Sequence, residues 1–181
     1  ATKVYRDDVD ITWLHDHLRA ATRVLVLTGA GVSRASGLPT YRGEGGIYDG
    51  TDIEALHHAD GLPDSLPALW GFWGPRRATI TAAEPNAAHR AIAEYQWEAR
   101  TGERRVTLAT QNIDDLHERA GSPQVAHLHG SLFATRCYAR CGYAVDPDLT
   151  PYDDTPACPR CGSWLRPSVV LFGEQLDVDA S

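Results

Sequence analysis

The chain has 181 residues, 43% of them hydrophobic and 23% charged. That is the size and balance of one domain with a small appendage, and it excludes a disordered or fibrous chain. Mean hydropathy is −0.34, no apolar run reaches the roughly 18–20 residues that cross a bilayer, and a formal charge of −7 argues against a broad nucleic-acid footprint.

No targeting segment precedes the first apolar run, so no membrane association and a cytoplasmic location are expected. Met is absent, including at position 1, so the chain is expected to begin downstream of its translation start. Residues 1–22 predict an amphipathic helix, with Val9, Trp13, Leu14 and Leu18 at helical spacing and Asp8 or Asp10 available as a cap. Val24-Leu25-Val26-Leu27, ended by Thr28-Gly29, reads as a strand buried on both faces, as in parallel sheets. Residues 43–65, with Gly43, Gly45, Gly46, Gly50, Gly61 and Pro63, predict an irregular stretch. Leu69, Trp70, Phe72, Trp73 and Ile80 predict a helix over 66–80 in spite of Gly74 and Pro75. A clearer helix spans 86–100, with Ala87, Ala88, Ile92 and Tyr95 on one side.

Val106-Thr107-Leu108-Ala109-Thr110 is a second buried strand, 114–119 a short helix, 125–128 a third strand and 168–172 a further one. Residues 137–161 have four cysteines and little periodicity. Strands alternating with helices predict an α/β domain with a parallel sheet, interrupted by a cysteine-bearing insert.

Gly29-Ala30-Gly31-Val32-Ser33 follows the first strand directly. Such a turn brings backbone close to a pyrophosphate, although Arg34 stands where the strict dinucleotide fingerprint has glycine. After it, Tyr41 offers an aromatic face and Arg42 a planar cation suited to phosphate; a half-buried Tyr and a solvated Arg on a surface loop is the plainer alternative. Cys137, Cys141, Cys158 and Cys161 form C-x3-C, sixteen residues, then C-x2-C. Four thiolates in two close pairs match a closed structural Zn2+ site, whereas two disulfides require an oxidising compartment. Gln111, Asn112, Ile113 and Asp114 lie at the carboxyl end of the second strand and His129-Gly130 at that of the third, where open α/β sheets bind ligands. Taken singly, Gln111 and Asn112 also read as turn formers, Asp114 as a helix cap and His129 as a core histidine.

Together these segments resemble the sirtuin family of NAD-dependent protein-lysine deacylases. The matches, in the family's order, are Gly29-Ala30-Gly31-Val32-Ser33, Ser36-Gly37-Leu38-Pro39-Thr40-Tyr41-Arg42, Thr110-Gln111-Asn112-Ile113-Asp114 with Leu116-His117, His129-Gly130, the four cysteines, and Arg166-Pro167 with Val169-Val170-Leu171-Phe172-Gly173-Glu174. The resemblance implies a Rossmann-like NAD-binding domain over 1–136 and 162–181. Its zinc-binding module over 137–161 would sit in a small domain for which 43–80 are further candidates. It further implies that Gly29, Ala30, Gly31, Ser33 and Arg42 hold phosphates and that Tyr41 shields the reacting ribose. Gln111, Asn112, Ile113 and Asp114 would position ribose and carboxamide.

By the same resemblance His129 is the general base on a ribose hydroxyl, while the acyl oxygen attacks the ribose and nicotinamide leaves. The acyl-lysine protein or peptide would pair as a strand with the segment of Val169, Val170, Phe172, Gly173 and Glu174. Protein mono-ADP-ribosyl transfer and a non-catalytic NAD or ADP-ribose module are the alternatives. Three departures matter. The first cysteine pair has one residue more than C-x2-C. Trp73 stands where desuccinylating members carry Tyr, although Arg76 matches the Arg that pairs an acyl carboxylate. The family also continues beyond Glu174 with strands that have no counterpart here, so the sheet is expected to be incomplete and the chain to bind NAD poorly.

Overall fold

The aliphatic runs at 24–27 and 106–109 become adjacent parallel strands in the computed structural model, which describes residues 11–43, 45–47, 53–152 and 154–176. In chain order the elements are α1 (Thr12–Ala20), β1 (Arg23–Thr28), a 3-10 turn (Ala30–Ser36), α2 (Ile53–Leu56), a second 3-10 turn (Ala59–Gly61), α3 (Leu66–Ala82) and α4 (Ala87–Ala99). Then come β2 (Arg105–Thr110), α5 (Leu116–Arg119), β3 (Ala126–His127), β4 (Gly130–Cys137), β5 (Ala144–Val145) and β6 (Leu165–Val169). One sheet is parallel with order β1-β2-β3; the other has order β5-β4-β6 and is antiparallel. The first is the Rossmann-like layer that the strand–helix alternation predicts.

Four expectations need correction. The first strand is not buried on both faces: Leu25 and Leu27 are 67% and 58% exposed, because β1 is the outer strand and its side chains alternate between the two faces. The apolar run at 168–172 is not a strand of the parallel sheet. The strand there is β6, which ends at Val169 and pairs antiparallel with β4, a strand that the periodicity did not reveal. On α4 the buried positions are His89, Ala93, Gln96 and Ala99, while Ala87 and Ala88 are exposed. Here a capping box between Asn86 and His89 turns polar side chains inward. On α1, Trp13 and Leu14 are exposed; Val9, Asp8 and Asp10 lie outside the described residues, as do Gly50 and 177–181.

Pro75 sits inside α3, where its ring faces the carbonyl of Gly71 and removes one helical hydrogen bond. Just beyond it Arg76 bonds the Phe72 carbonyl at 2.7 Å. The main core packs Leu66, Leu69, Trp73 and Ile80 of α3 on Leu132 and Phe133 of β4, with Ile113, Leu116, Val169 and Leu171. This core joins the helix to the loops after β2 and β6, and it places Trp73 beside both.

Candidate active site and metal centre

Parallel pairing sets Thr28, Thr110 and His127 level with one another. The three strands therefore end at one edge of the sheet, and the segments after them share a crevice. Under that edge the Thr28 hydroxyl lies 2.9 Å from the Thr110 hydroxyl and 2.9 Å from His117 Nε2. Thr110 Oγ1 also accepts the Asn112 N–H at 3.0 Å, which fixes the turn out of β2.

The Asn112 amide nitrogen donates to the Gly29 carbonyl and to Ser33 Oγ, both at 3.2 Å. Ser33 in turn donates to Asp114 Oδ2 at 2.9 Å, and Asp114 Oδ1 accepts the Leu116 N–H at 3.2 Å. Asp114, one residue ahead of the helix N-cap Asp115, thus takes an N–H of the first helical turn and ends a relay from the glycine turn. Asn112 Oδ1 is buried without a hydrogen-bond partner among the described residues. A buried acceptor of that kind costs free energy unless something donates to it, and Asn112 lines the two cavities that adjoin here.

The first cavity, of about 330 Å³, is walled by Ala30, Ser33, Tyr41, Arg76, Asp114 and the α3 face, Trp73 included. The second, of about 590 Å³, runs past Gly31, Arg42, Gln111 and His129 to Val169, Val170, Phe172, Gly173 and Glu174. Ala30, Tyr41, Trp73, Asn112 and Ile113 belong to both. Every nucleotide, base and peptide candidate therefore borders this cleft, except that Gly29 takes part through its carbonyl.

His129 is half-buried, and its Nδ1 lies 2.9 Å from the Gln111 carbonyl. A carbonyl only accepts, so Nδ1 carries a proton and, in the neutral ring, Nε2 keeps its lone pair. Gly130 has φ +72° and a Cβ there would collide with the Ser168 carbonyl; only glycine lets β4 start so close to β6. The Val170 N–H donates to the His129 carbonyl at 2.9 Å, which ties His129 to the apolar segment beside it. Within that segment the Glu174 carboxylate bonds Arg166 and offers the cleft little of its charge.

His57, which the sequence reading passed over, also lines the second cavity. It packs edge-on against Phe72 and Trp73, with ring centroids 4.8 and 5.2 Å away. Burial holds its pKa below the ordinary value. Its only sequence signal is the pair His57-His58 in a glycine-rich stretch, and its place comes from long-range bonds: Phe172 N–H to the His57 carbonyl at 2.8 Å and Ala59 N–H to the Phe172 carbonyl at 2.9 Å.

Away from the cleft, the thiols of Cys137, Cys141, Cys158 and Cys161 all lie within 4.8 Å of one another. Cys137 and Cys161 sulfurs are 3.5 Å apart and Cys141 and Cys158 sulfurs 3.6 Å. Tetrahedral zinc with Zn–S bonds near 2.3 Å holds its sulfurs about 3.8 Å apart, so the cluster fits a structural Zn2+. The extra residue of the first pair is absorbed where Arg140 adopts φ 53°, followed by Gly142 at φ 85°. A backbone N–H at Ser163 favours the Cys161 thiolate, but the neighbouring sulfurs outweigh it and push that thiol up to about 12; a divalent cation relieves this crowding.

Residues 29–181 match the model of the Sir2 family. The chain belongs to the Sir2 family. It is 45% identical over 168 residues to "NAD-dependent protein deacylase 1" of Pseudomonas aeruginosa, covering 88% of this chain and 65% of that protein. It is 40% identical over 202 residues to "NAD-dependent protein deacylase sirtuin-5, mitochondrial" of Danio rerio, covering 98% and 65%. Among solved Sir2 structures, a homologue–NAD complex superposes with TM-score 0.79 at 40% identity, over 92% of this chain and 64% of the other. A mutant homologue bound to ADP-ribose gives 0.82 at 39%, over 93% and 66%. The chain thus spans about 65% of the length of these curated Sir2 relatives.

Proposed function

We propose that this Sir2 protein removes acyl groups from lysine side chains of proteins, with NAD as co-substrate, releasing nicotinamide and O-acyl-ADP-ribose. The observation that carries the reading is His129: its Nδ1 is held by Gln111, and its ring borders the cavity shared by Gly31, Arg42 and the 169–174 segment. NAD supplies a cleavable bond to nicotinamide and a ribose carbon for the acyl oxygen. The unpaired Oδ1 of Asn112 supports a hydroxylated ligand in the cleft, since a hydroxyl is the donor it lacks. Asn112 is held for this by Gly29 and Ser33, with Asp114 behind them, and Arg42 is available to phosphate. Nε2 of His129 is the base positioned to take a hydroxyl proton.

The acyl-lysine peptide enters as a strand beside the segment of Val170 and Phe172. The acyl group then points toward Trp73 and Arg76, where a guanidinium and the Trp73 Nε1, buried without a partner among the described residues, favour a short acidic acyl chain such as succinyl. The four thiols hold one structural Zn2+. The test is His129→Ala: thermal stability within about 1 kcal/mol of wild type, as for a half-exposed side chain, with deacylation lost. Wild-type turnover in that variant excludes the assignment.

A further inference from the structure

Leu128 separates His127 from His129, and both rings turn to the loop that follows β2. There they meet consecutive carbonyls: His129 Nδ1 lies 2.9 Å from the Gln111 oxygen and His127 Nδ1 3.0 Å from the Asn112 oxygen. The rings differ at their second nitrogen. Among the described residues His129 Nε2 has no such anchor, whereas His127 Nε2 lies 2.7 Å from Glu118 Oε1, on α5. A carbonyl and a carboxylate only accept, so a ring that bonds both donates twice, and an imidazole that donates twice is a cation. Neutral His127 gives up one of the two contacts.

We propose that His127, kept protonated by Glu118, is a positioning residue that clamps the Asn112 carbonyl and so holds the Asn112 side chain against Gly29 and Ser33, making nucleotide affinity fall when His127 loses its proton. The proposal rests on the reading of the cleft as an NAD site. The groups that face His127 are Glu118 and His117 from α5, and Asp114 with the Asn112 carbonyl from the loop after β2. Burial works against the charged ring, but the Glu118 hydrogen bond and charge, the Asn112 carbonyl and Asp114 outweigh it and raise its pKa. His117 is pushed down to about 4, chiefly by burial, and is neutral wherever His127 titrates. His127 is 19% exposed, and its bond with Glu118 spans from the strand edge to the helix below. The dyad therefore ties β3 to α5, the helix into which the loop after β2 runs.

The test has two arms. In the first, the histidine rings are titrated by NMR in wild type, Glu118→Gln and His127→Asn, the last assigning the His127 signal. A His127 midpoint above 6.5 that falls by about one pH unit or more in Glu118→Gln is expected, since the amide keeps an acceptor but loses the charge. In the second, KM for NAD is followed against pH at saturating acyl-lysine peptide. In wild type it rises about three- to tenfold through the His127 midpoint, the worth of one hydrogen bond, with kcat flat. In Glu118→Gln the rise moves to lower pH by the NMR shift. In His127→Asn, whose Nδ2 can donate to the Asn112 carbonyl without titrating, the rise disappears. An ordinary His127 midpoint, or an alkaline rise unmoved in either variant, overturns the inference while leaving the deacylase reading intact. Failure of the wild type to bind NAD at any pH removes that reading, and the inference with it.

Discussion

The Glu174 carboxylate takes both terminal nitrogens of Arg166, at 2.7 and 3.1 Å. Arg166 is almost fully buried and also bonds the Val169 carbonyl at 2.8 Å, while Glu174 accepts the Leu171 N–H at 2.8 Å. Arg136 stands 3.5 Å from the same carboxylate. One ion pair thereby sets the curvature of the 169–174 segment on which the peptide strand would lie, and Arg166, with Arg136 and the Leu171 N–H, holds the Glu174 pKa down against the opposing effect of burial.

Glu174→Gln leaves buried Arg166 without its counter-charge. Stability is expected to fall by about 3 kcal/mol, as for a broken buried pair, and KM for the peptide to rise about tenfold, a loss of roughly 1.4 kcal/mol in binding. KM for NAD stays within about twofold, because the glycine turn is held by other bonds. Steady-state kinetics with each substrate varied separately check this; equal changes in both constants contradict it.

The cysteine cluster predicts one zinc per chain by elemental analysis. A strong chelator is expected to remove it and lower the melting temperature, because binding energy of the metal is folding energy for so small a module. Cys158→Ser reproduces the loss. A protein equally stable with and without chelator contradicts a structural role for the four thiols.

Arg76 lies across the Phe72 ring at 3.5 Å and bonds the Phe72 carbonyl; burial lowers its pKa and Tyr41 opposes that shift. Arg76→Met is expected to lower kcat/KM on succinyl-lysine peptide by about tenfold or more relative to acetyl-lysine peptide, through loss of a charge-assisted bond. Unchanged activity on both peptides removes Arg76 from acyl recognition.

His117 is 1% exposed, beside His89 at a ring separation of 4.8 Å. Burial first, then His89, pushes its pKa from 6.5 to about 4. Between those values the unfolded chain binds the proton and the folded chain does not, so stability is full above 6.5 and falls as pH drops toward 4. The loss is on the order of 3 kcal/mol. Denaturation midpoints against pH for wild type and His117→Gln are expected to diverge over that window, the variant being flatter. Parallel curves contradict it.

Much of the cleft was legible because its signals are local. Gly-x-Gly after an aliphatic run, polar residues after a second run and His-Gly after a third each announce a strand end, and parallel register brings such ends together. The cysteine spacing was legible for the same reason. What stayed hidden depends on distant partners. β4 buries Leu132, Phe133, Ala134 and Thr135 in succession, so no apolar–polar alternation marks it, and its pairing with β6 is fixed by Gly130 against Ser168. Leu25 and Leu27 read as buried because composition cannot tell an outer strand from a central one. His57 enters the cleft through backbone bonds to Phe172 and ring contacts with Phe72 and Trp73, all distant in sequence, and the partner of Glu174 lies eight positions back in a strand whose path is set by the second sheet.

The central claim is that one cleft couples NAD cleavage to acyl removal. The most direct measurement is mass spectrometry of the protein with NAD and a panel of acetyl-, succinyl- and longer-acyl-lysine peptides. The account predicts nicotinamide, deacylated peptide and O-acyl-ADP-ribose in equal amounts, all absent in His129→Ala. Nicotinamide release with the acyl group still on lysine, or ADP-ribose attached to protein instead, would contradict it.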